Sequence, residues 1–217
     1  EAGPLAERIA AAPGLRLAGV SAYEGVAPNE RTPANLARVD AHCALAREVF
    51  EALAPGFDAA PPVFSIGGSA FQDRAAMFLP DGAVNVLRSG CYVVHDHGTY
   101  AGVSPVPGLV AAAVVRTLVL SAPEPGLVVL NAGKRELAYD AGLPVIVAAY
   151  RDGDPRPEAA GTVAKLFDHH AVIAPAADLA VGDVVDLGIS HPCSVFDRWR
   201  EVVAVHGDTV EVWRPAF

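Results

Sequence analysis

The chain has 217 residues, and sixteen Lys and Arg stand against twenty-five Asp and Glu, a formal net charge of −9. That balance excludes nucleic acid or an anionic membrane as the main partner, because phosphate binding runs on clustered positive charge. Hydrophobic residues at 52% and charged ones at 19% exclude disorder, and Gly, Pro or charge interrupts every apolar run before the about 20 residues of a membrane span.

In chain order, Leu15 to Ala22 reads as a strand, opened by Pro13 and Gly14 and closed by Gly25. Thr32 and Pro33 read as an N-cap and a first helical proline. The helix behind them puts Leu36, Val39, Ala46, Val49, Phe50 and Leu53 on one face, and Pro55 and Gly56 stop it. Pro62 to Ile66 is a second strand ending in Gly67 and Gly68; Ser69 then caps a helix through about Leu79, and Val84 to Leu87 is a third strand. This βαβαβ rhythm implies parallel strands with helical crossovers.

Near residues 102 to 108, where Gly102, Pro105, Pro107 and Gly108 cluster, the rhythm changes. Leu109 to Ser121, Gly126 to Leu130, Val145 to Ala149, Gly161 to Leu166, Val184 to Leu187, Glu201 to Val205 and Thr209 to Trp213 read as strands. Turn signals such as Asp152-Gly153-Asp154 and His206-Gly207-Asp208 separate several of them, which suggests a small antiparallel barrel or sandwich. The expected domains are therefore residues 1–105 and 106–217. Three parallel strands do not cover their own faces and edges, so the first part reads as the closing portion of a larger α/β barrel. A first residue that is Glu1 rather than Met fits the expectation that the remainder lies upstream. Three cysteines, Cys43, Cys91 and Cys193, make no disulfide framework and point to a reduced, cytoplasmic setting.

Three segments can carry chemistry. Ser190-His191-Pro192-Cys193-Ser194 follows the strand ending at Leu187. In an extended backbone residues two apart share a face, so His191 and Cys193 can grip one ion, and imidazole with thiolate suits zinc. On spacing alone a buried cysteine beside a half-buried histidine is the commoner reading. Ser65-Ile66-Gly67-Gly68-Ser69 ends a strand, where glycines admit an anion and helix-start amides attract it; an ordinary βα turn is the bland alternative. Arg88-Ser89-Gly90-Cys91-Tyr92 follows the next strand, at the carboxyl edge where α/β sheets place their sites; a turn with one solvated arginine is its bland alternative. His95-Asp96-His97 lacks the further ligands of a hydrolase centre and suits a role at the surface or behind another ligand. Asp168-His169-His170 lacks the upstream acidic motifs of phosphoesterases, and Tyr23-Glu24-Gly25 ends the first strand with either a ligand-facing or a core tyrosine.

Taken in order, Gly19 to Gly25, Ser65 to Ser69, Arg88 to Tyr92, Asp168-His169-His170 and His191-Pro192-Cys193 make the chain resemble the D-serine dehydratase and D-threonine aldolase family. These are fold-type III pyridoxal-phosphate enzymes related to alanine racemase, with a (β/α)8 barrel followed by a β-domain. The resemblance covers only the later part of that architecture. It implies a phosphate cradle from Gly67, Gly68 and Ser69 with the backbone of Gly90 and Cys91, and it places Tyr23 and Arg88 near the pyridine ring. His191 and Cys193 match zinc ligands of the dehydratase branch, whereas aldolases tend to carry Asp where Cys193 stands. His170 matches a histidine kept near the site, and Val26 departs from the histidine that often follows the Tyr-x-Gly segment.

The Schiff-base lysine of the family belongs to the first barrel strand, which this chain lacks. The only lysines here, Lys134 and Lys165, fall in the β-rich part, so the chain alone is expected to be inactive. For the intact protein the resemblance implies a pyridoxal-phosphate- and zinc-dependent dehydratase. Its substrate would be D-serine or a similar β-hydroxy D-amino acid, its products a keto acid and ammonia, and its assembly a homodimer. The alternatives are an aldolase giving glycine and an aldehyde, a non-catalytic metal- or phosphate-binding fragment, and, with no evident job for a metal pair, a racemase.

Overall fold

Helix α1 (Ala2–Ala11) is followed by strand β1 (Gly19–Ser21) and the long helix α2 (Pro33–Leu53). Thr32 caps α2 by accepting from the Asn35 amide at 3.3 Å, and Pro33 occupies the first turn, where a missing N–H costs nothing. Beyond come β2 (Val63–Ile66), the short α3 (Gln72–Ala76) and β3 (Val84–Leu87). The computed structural model describes residues 1–216, and the chain divides into two units: Glu1–Tyr92 with Gly102–Gly108, and Val93–Ala101 with everything from Leu109 onward.

In the first unit β1, β2 and β3 pair in that order, all parallel, with Ser21 beside Ser65 and Ile66 beside Leu87. Helix α2 turns Val39, Cys43, Ala46 and Phe50 inward at helical spacing, toward a core that includes Phe64, Ile66, Phe71 and Ala75. The Phe50 ring meets Phe64 edge-on, centroids 5.3 Å apart. Arg74 of α3 ties back to Asp40 of α2 through a two-armed ion pair. The helix expected from Ser69 to Leu79 is shorter: it starts at Gln72 with Phe71 as its N-cap. The Ser69 hydroxyl accepts from the Cys91 amide, 3.1 Å away, and α3 has no side-chain cap.

The second unit holds β4 (Val114–Glu124), β5 (Leu127–Leu130), β6 (Val145–Arg151), β7 (Asp154–Pro155), β8 (Ala160–Leu166), β9 (Ala171–Ala177) and β10 (Val184–Gly188). They form one antiparallel sheet in the order β7-β6-β10-β4-β5-β9-β8. The sheet curls enough that an added Cβ at Gly161 of β8 would lie 3.3 Å from Ile146 of β6. Val115 and Val119 on β4, Val128 and Leu130 on β5, and Ile173, Val185 and Leu187 fill the concave side. The alternation along β4 is that of a sheet with one face inside and one outside. A separate hairpin, β11 (Val202–His206) and β12 (Thr209–Trp213), turns at Gly207 and Asp208.

Candidate functional site

Parallel strands that share a register end together, so the loops after β1, β2 and β3 crowd one edge. The cofactor residues expected from the resemblance, Tyr23, Gly67, Gly68, Ser69, Arg88, Gly90 and Cys91, all fall on this edge, and contacts between its loops tie most of them together. The Arg88 guanidinium donates to the Ala22 carbonyl at 2.5 Å and to Ser65 Oγ, joining the ends of all three strands. Ser89 Oγ donates to the Gly68 carbonyl at 2.8 Å and Tyr92 Oη to that of Ser69 at 2.8 Å. Gly67 has φ +99°, a conformation a side chain would strain, and the Cβ direction of Gly90 opens onto space. The Tyr23 ring is half-exposed and lies against glycine backbone: an added Cβ on Gly25 or Gly68 would come within 2.0 or 2.8 Å of it.

Two amides of this edge already have protein acceptors. Gly68 N–H donates to Glu24 Oε1 at 2.6 Å, and Cys91 N–H donates to Ser69 Oγ at 3.1 Å. Ser69 therefore keeps its hydroxyl proton to donate elsewhere. Glu24 is 1% exposed, and its other oxygen, Oε2, is buried without a hydrogen-bond partner among the described residues.

In the second unit His191 follows β10 in extended conformation, and Pro192 to Ser194 then form a single 3-10 turn. The expectation that Cys193 shares a face with His191 by strand alternation is corrected here, because Pro192 starts a turn. The turn still brings a His191 ring nitrogen and Cys193 Sγ within 4.8 Å of each other. His191 is half-buried and Cys193 exposed. His191 Nδ1 lies 2.7 Å from Asp140 Oδ2, and Ser194 Oγ donates to Asp140 Oδ1 at 2.6 Å. Burial pushes the Asp140 carboxyl up, but the hydrogen bonds from Ser194 and His191 win and hold it below the usual carboxylate range. Tyr100 leans on the same histidine, ring centroids 6.2 Å apart and tilted by 58°.

Asp96 is 1% exposed, not at the surface, and accepts from the amides of Gly98, Tyr100 and Ala101 at 2.9, 2.9 and 3.3 Å. This shapes the loop whose Thr99 amide reaches the Ser190 carbonyl at 3.1 Å. His97 packs under Gly188, and burial pushes its imidazole below the usual histidine range. Asp168, His169 and His170 make the exposed β8–β9 turn, with His169 Nδ1 2.7 Å from Glu136 Oε1. Lys134 and Lys165 lie over the rings of Tyr139 and Phe167, at 5.9 and 4.6 Å from the centroids. Asp140 was not legible as a site residue: it closes a loop 51 residues before its partner, and only an acidic residue at a loop end marks it.

Residues 112–205 match the family model described as "Putative serine dehydratase domain", which bears out the family resemblance over that segment. No curated protein matches the chain. Among solved structures, D-threonine aldolase from Filomicrobium marinum superposes with a TM-score of 0.73 at 24% identity, over 97% of this chain and 56% of its own. D-threo-3-hydroxyaspartate dehydratase from Delftia sp. HT23 gives 0.65 at 21%, over 93% and 56%. An alanine racemase-like protein from Idiomarina loihiensis gives 0.66 at 19%, over 90% and 55%. The fold is thus the alanine racemase-like one: the parallel β/α unit is part of its barrel, and the antiparallel unit is its β-domain. The chain spans little more than half the length of these structures. Alanine variants of a D-threo-3-hydroxyaspartate dehydratase are also solved, one replacing a histidine and one a cysteine two positions later, the latter in a metal-free form.

Proposed function

From an alanine racemase-like fold and a segment of the serine dehydratase type, we propose that this chain is the later part of a pyridoxal-phosphate- and zinc-dependent dehydratase. Its substrate is D-serine or a similar β-hydroxy D-amino acid, and its products are a keto acid and ammonia. Residues 1–105 belong to the cofactor barrel and residues 106–217 to the metal-bearing β-domain of a cytoplasmic homodimer. The Schiff-base lysine comes from outside this chain, which alone is inactive. In support, Lys134 and Lys165 are both engaged against aromatic rings of the β-rich unit.

The observation that carries the reading is the His191–Cys193 pair. An imidazole nitrogen and a thiol sulfur lie within 4.8 Å, inside the matched segment, at the spacing of the histidine and cysteine replaced in the D-threo-3-hydroxyaspartate dehydratase variants. The donor set fits a divalent ion of borderline softness, because imidazole nitrogen and thiolate sulfur both suit zinc. The strand-end loops fit a phosphate ester: Gly67 adopts a glycine conformation, Gly90 leaves space, and Ser69 retains a hydroxyl proton. When bound, pyridoxal phosphate supplies an electron sink for the carbanion at Cα, and zinc supplies a Lewis acid toward the departing hydroxyl. Arg88 fixes the loop ends that would flank the cofactor ring, and Tyr23 would offer it an apolar face and a phenolic tip. His191 is held through Nδ1, and one of its ring nitrogens lies within 4.8 Å of Cys193 Sγ.

The complete gene product, given D-serine, is expected to release pyruvate and ammonia, and to lose that activity on chelation or in Cys193→Ala. The superposition on D-threonine aldolase favours one second reading. Glycine and an aldehyde from D-threonine, with no pyruvate from D-serine, would assign the protein to that reaction.

A further inference from the structure

Asp140 sends both carboxylate oxygens into the segment that carries the proposed metal ligands. Oδ2 meets His191 Nδ1 at 2.7 Å, and Oδ1 accepts from Ser194 Oγ at 2.6 Å. We propose that Asp140 is the positioning residue of this site, fixing His191 in the tautomer that carries its proton on Nδ1 and turns the Nε2 lone pair toward a divalent cation. The inference rests on the metal reading above and adds to it which nitrogen binds and what selects it.

An ionised carboxylate has no proton to give, so a 2.7 Å contact with an imidazole nitrogen requires that nitrogen to carry hydrogen. A neutral ring protonated at Nδ1 has its only lone pair in the ring plane at Nε2, so Nδ1 is excluded as a ligand. The partner carboxylate also fixes the orientation of the ring. Ser194 holds the second oxygen, so the carboxylate cannot rotate away without losing a short hydrogen bond. The Asp140 loop is itself anchored. Ser190 Oγ reaches the Ala138 carbonyl at 3.3 Å, Trp199 Nε1 the Glu136 carbonyl at 3.0 Å, and Arg198 the Lys134 carbonyl at 2.6 Å. Loop and ligand turn therefore act as one frame, although they are distant in sequence.

The Asp140 side chain is 48% exposed, so its truncation leaves the sheet core untouched. The test compares wild type, Asp140→Ala, Asp140→Asn and Cys193→Ala by cobalt(II) titration, following the thiolate-to-cobalt charge-transfer band. Nitrogen-15 spectra of the His191 ring are recorded in the metal-free protein. Asp140→Ala is expected to weaken cobalt binding about 10–100-fold, in the range for lost partners of ligating histidines, and to move the ring to a mixture of tautomers. Asp140→Asn keeps an oxygen that accepts from Nδ1–H and is expected to restore most of both. Unchanged affinity and an unchanged tautomer in Asp140→Ala would overturn the inference. A charge-transfer band that survives in Cys193→Ala would remove the metal site instead, while the metal-free tautomer still reports on Asp140.

Discussion

Replacing Asp183 by Asn tests how much a single buried ion pair holds the β-rich unit together. Asp183 is 1% exposed; it receives Arg151 Nε at 2.7 Å and a second guanidinium arm at 2.8 Å, and Oδ2 also accepts from the Ala180 amide at 2.8 Å. The Arg151 bonds and the Ala180 amide hold its carboxyl below the usual range against the opposing effect of burial. Arg151 is 36% exposed, so water rehydrates its charge when the partner is neutralised. This discounts the about 3–5 kcal/mol of a fully buried broken pair to about 2 kcal/mol. For a chain of this size about 2 kcal/mol lowers Tm by about 4–8 °C. A carboxyl depressed in the folded state stabilises the protein above its unfolded value of about 3.9, and that contribution fades as pH falls through the lower folded value. Thermal unfolding of wild type and Asp183→Asn is therefore expected to show a constant Tm gap from about pH 7 to 5 that narrows below about pH 4. A gap of the same size at pH 7 and in acid would refute the ion-pair reasoning and point to packing.

Further outcomes follow from individual contacts. Burial, with Glu24 and Asp40 adding to it, pushes the Cys43 thiol up to about 12. Iodoacetamide at neutral pH should leave Cys43 unlabelled in peptide mass maps until denaturant is added, and native labelling would contradict its burial. Gly133→Ala would set a Cβ 2.4 Å from both the Phe167 carbonyl and the His170 amide, rigid backbone on either side. It should destabilise by about 3 kcal/mol, and a variant that melts like wild type would show that this loop yields. Glu24→Ala removes the acceptor of the Gly68 amide. It should cost about 1–3 kcal/mol and speed hydrogen exchange at Gly68, whereas unchanged exchange would mean the turn holds without it.

Local chemistry in the sequence set much of the secondary structure. Thr32 and Pro33 started α2 and Pro55 with Gly56 followed its end at Leu53, because capping and chain-breaking act within one turn. β12 falls where alternation and the Gly207-Asp208 turn put it. Where intrinsic preference is weak, the reading failed. β9 is rich in alanine and contains Pro175, and it exists because β5 and β8 pair with it on either side. Pro4 hides α1 inside an otherwise periodic segment. The candidate metal ligands were legible because two residues two positions apart carry their chemistry in their identity. Asp140 was not, and neither was the commitment of the Gly68 amide to Glu24 across 44 residues. Residue type and short spacing decide which groups can bind; only the folded backbone, bringing together loops distant in sequence, decides which nitrogen of His191 meets a carboxylate and which amides are already taken.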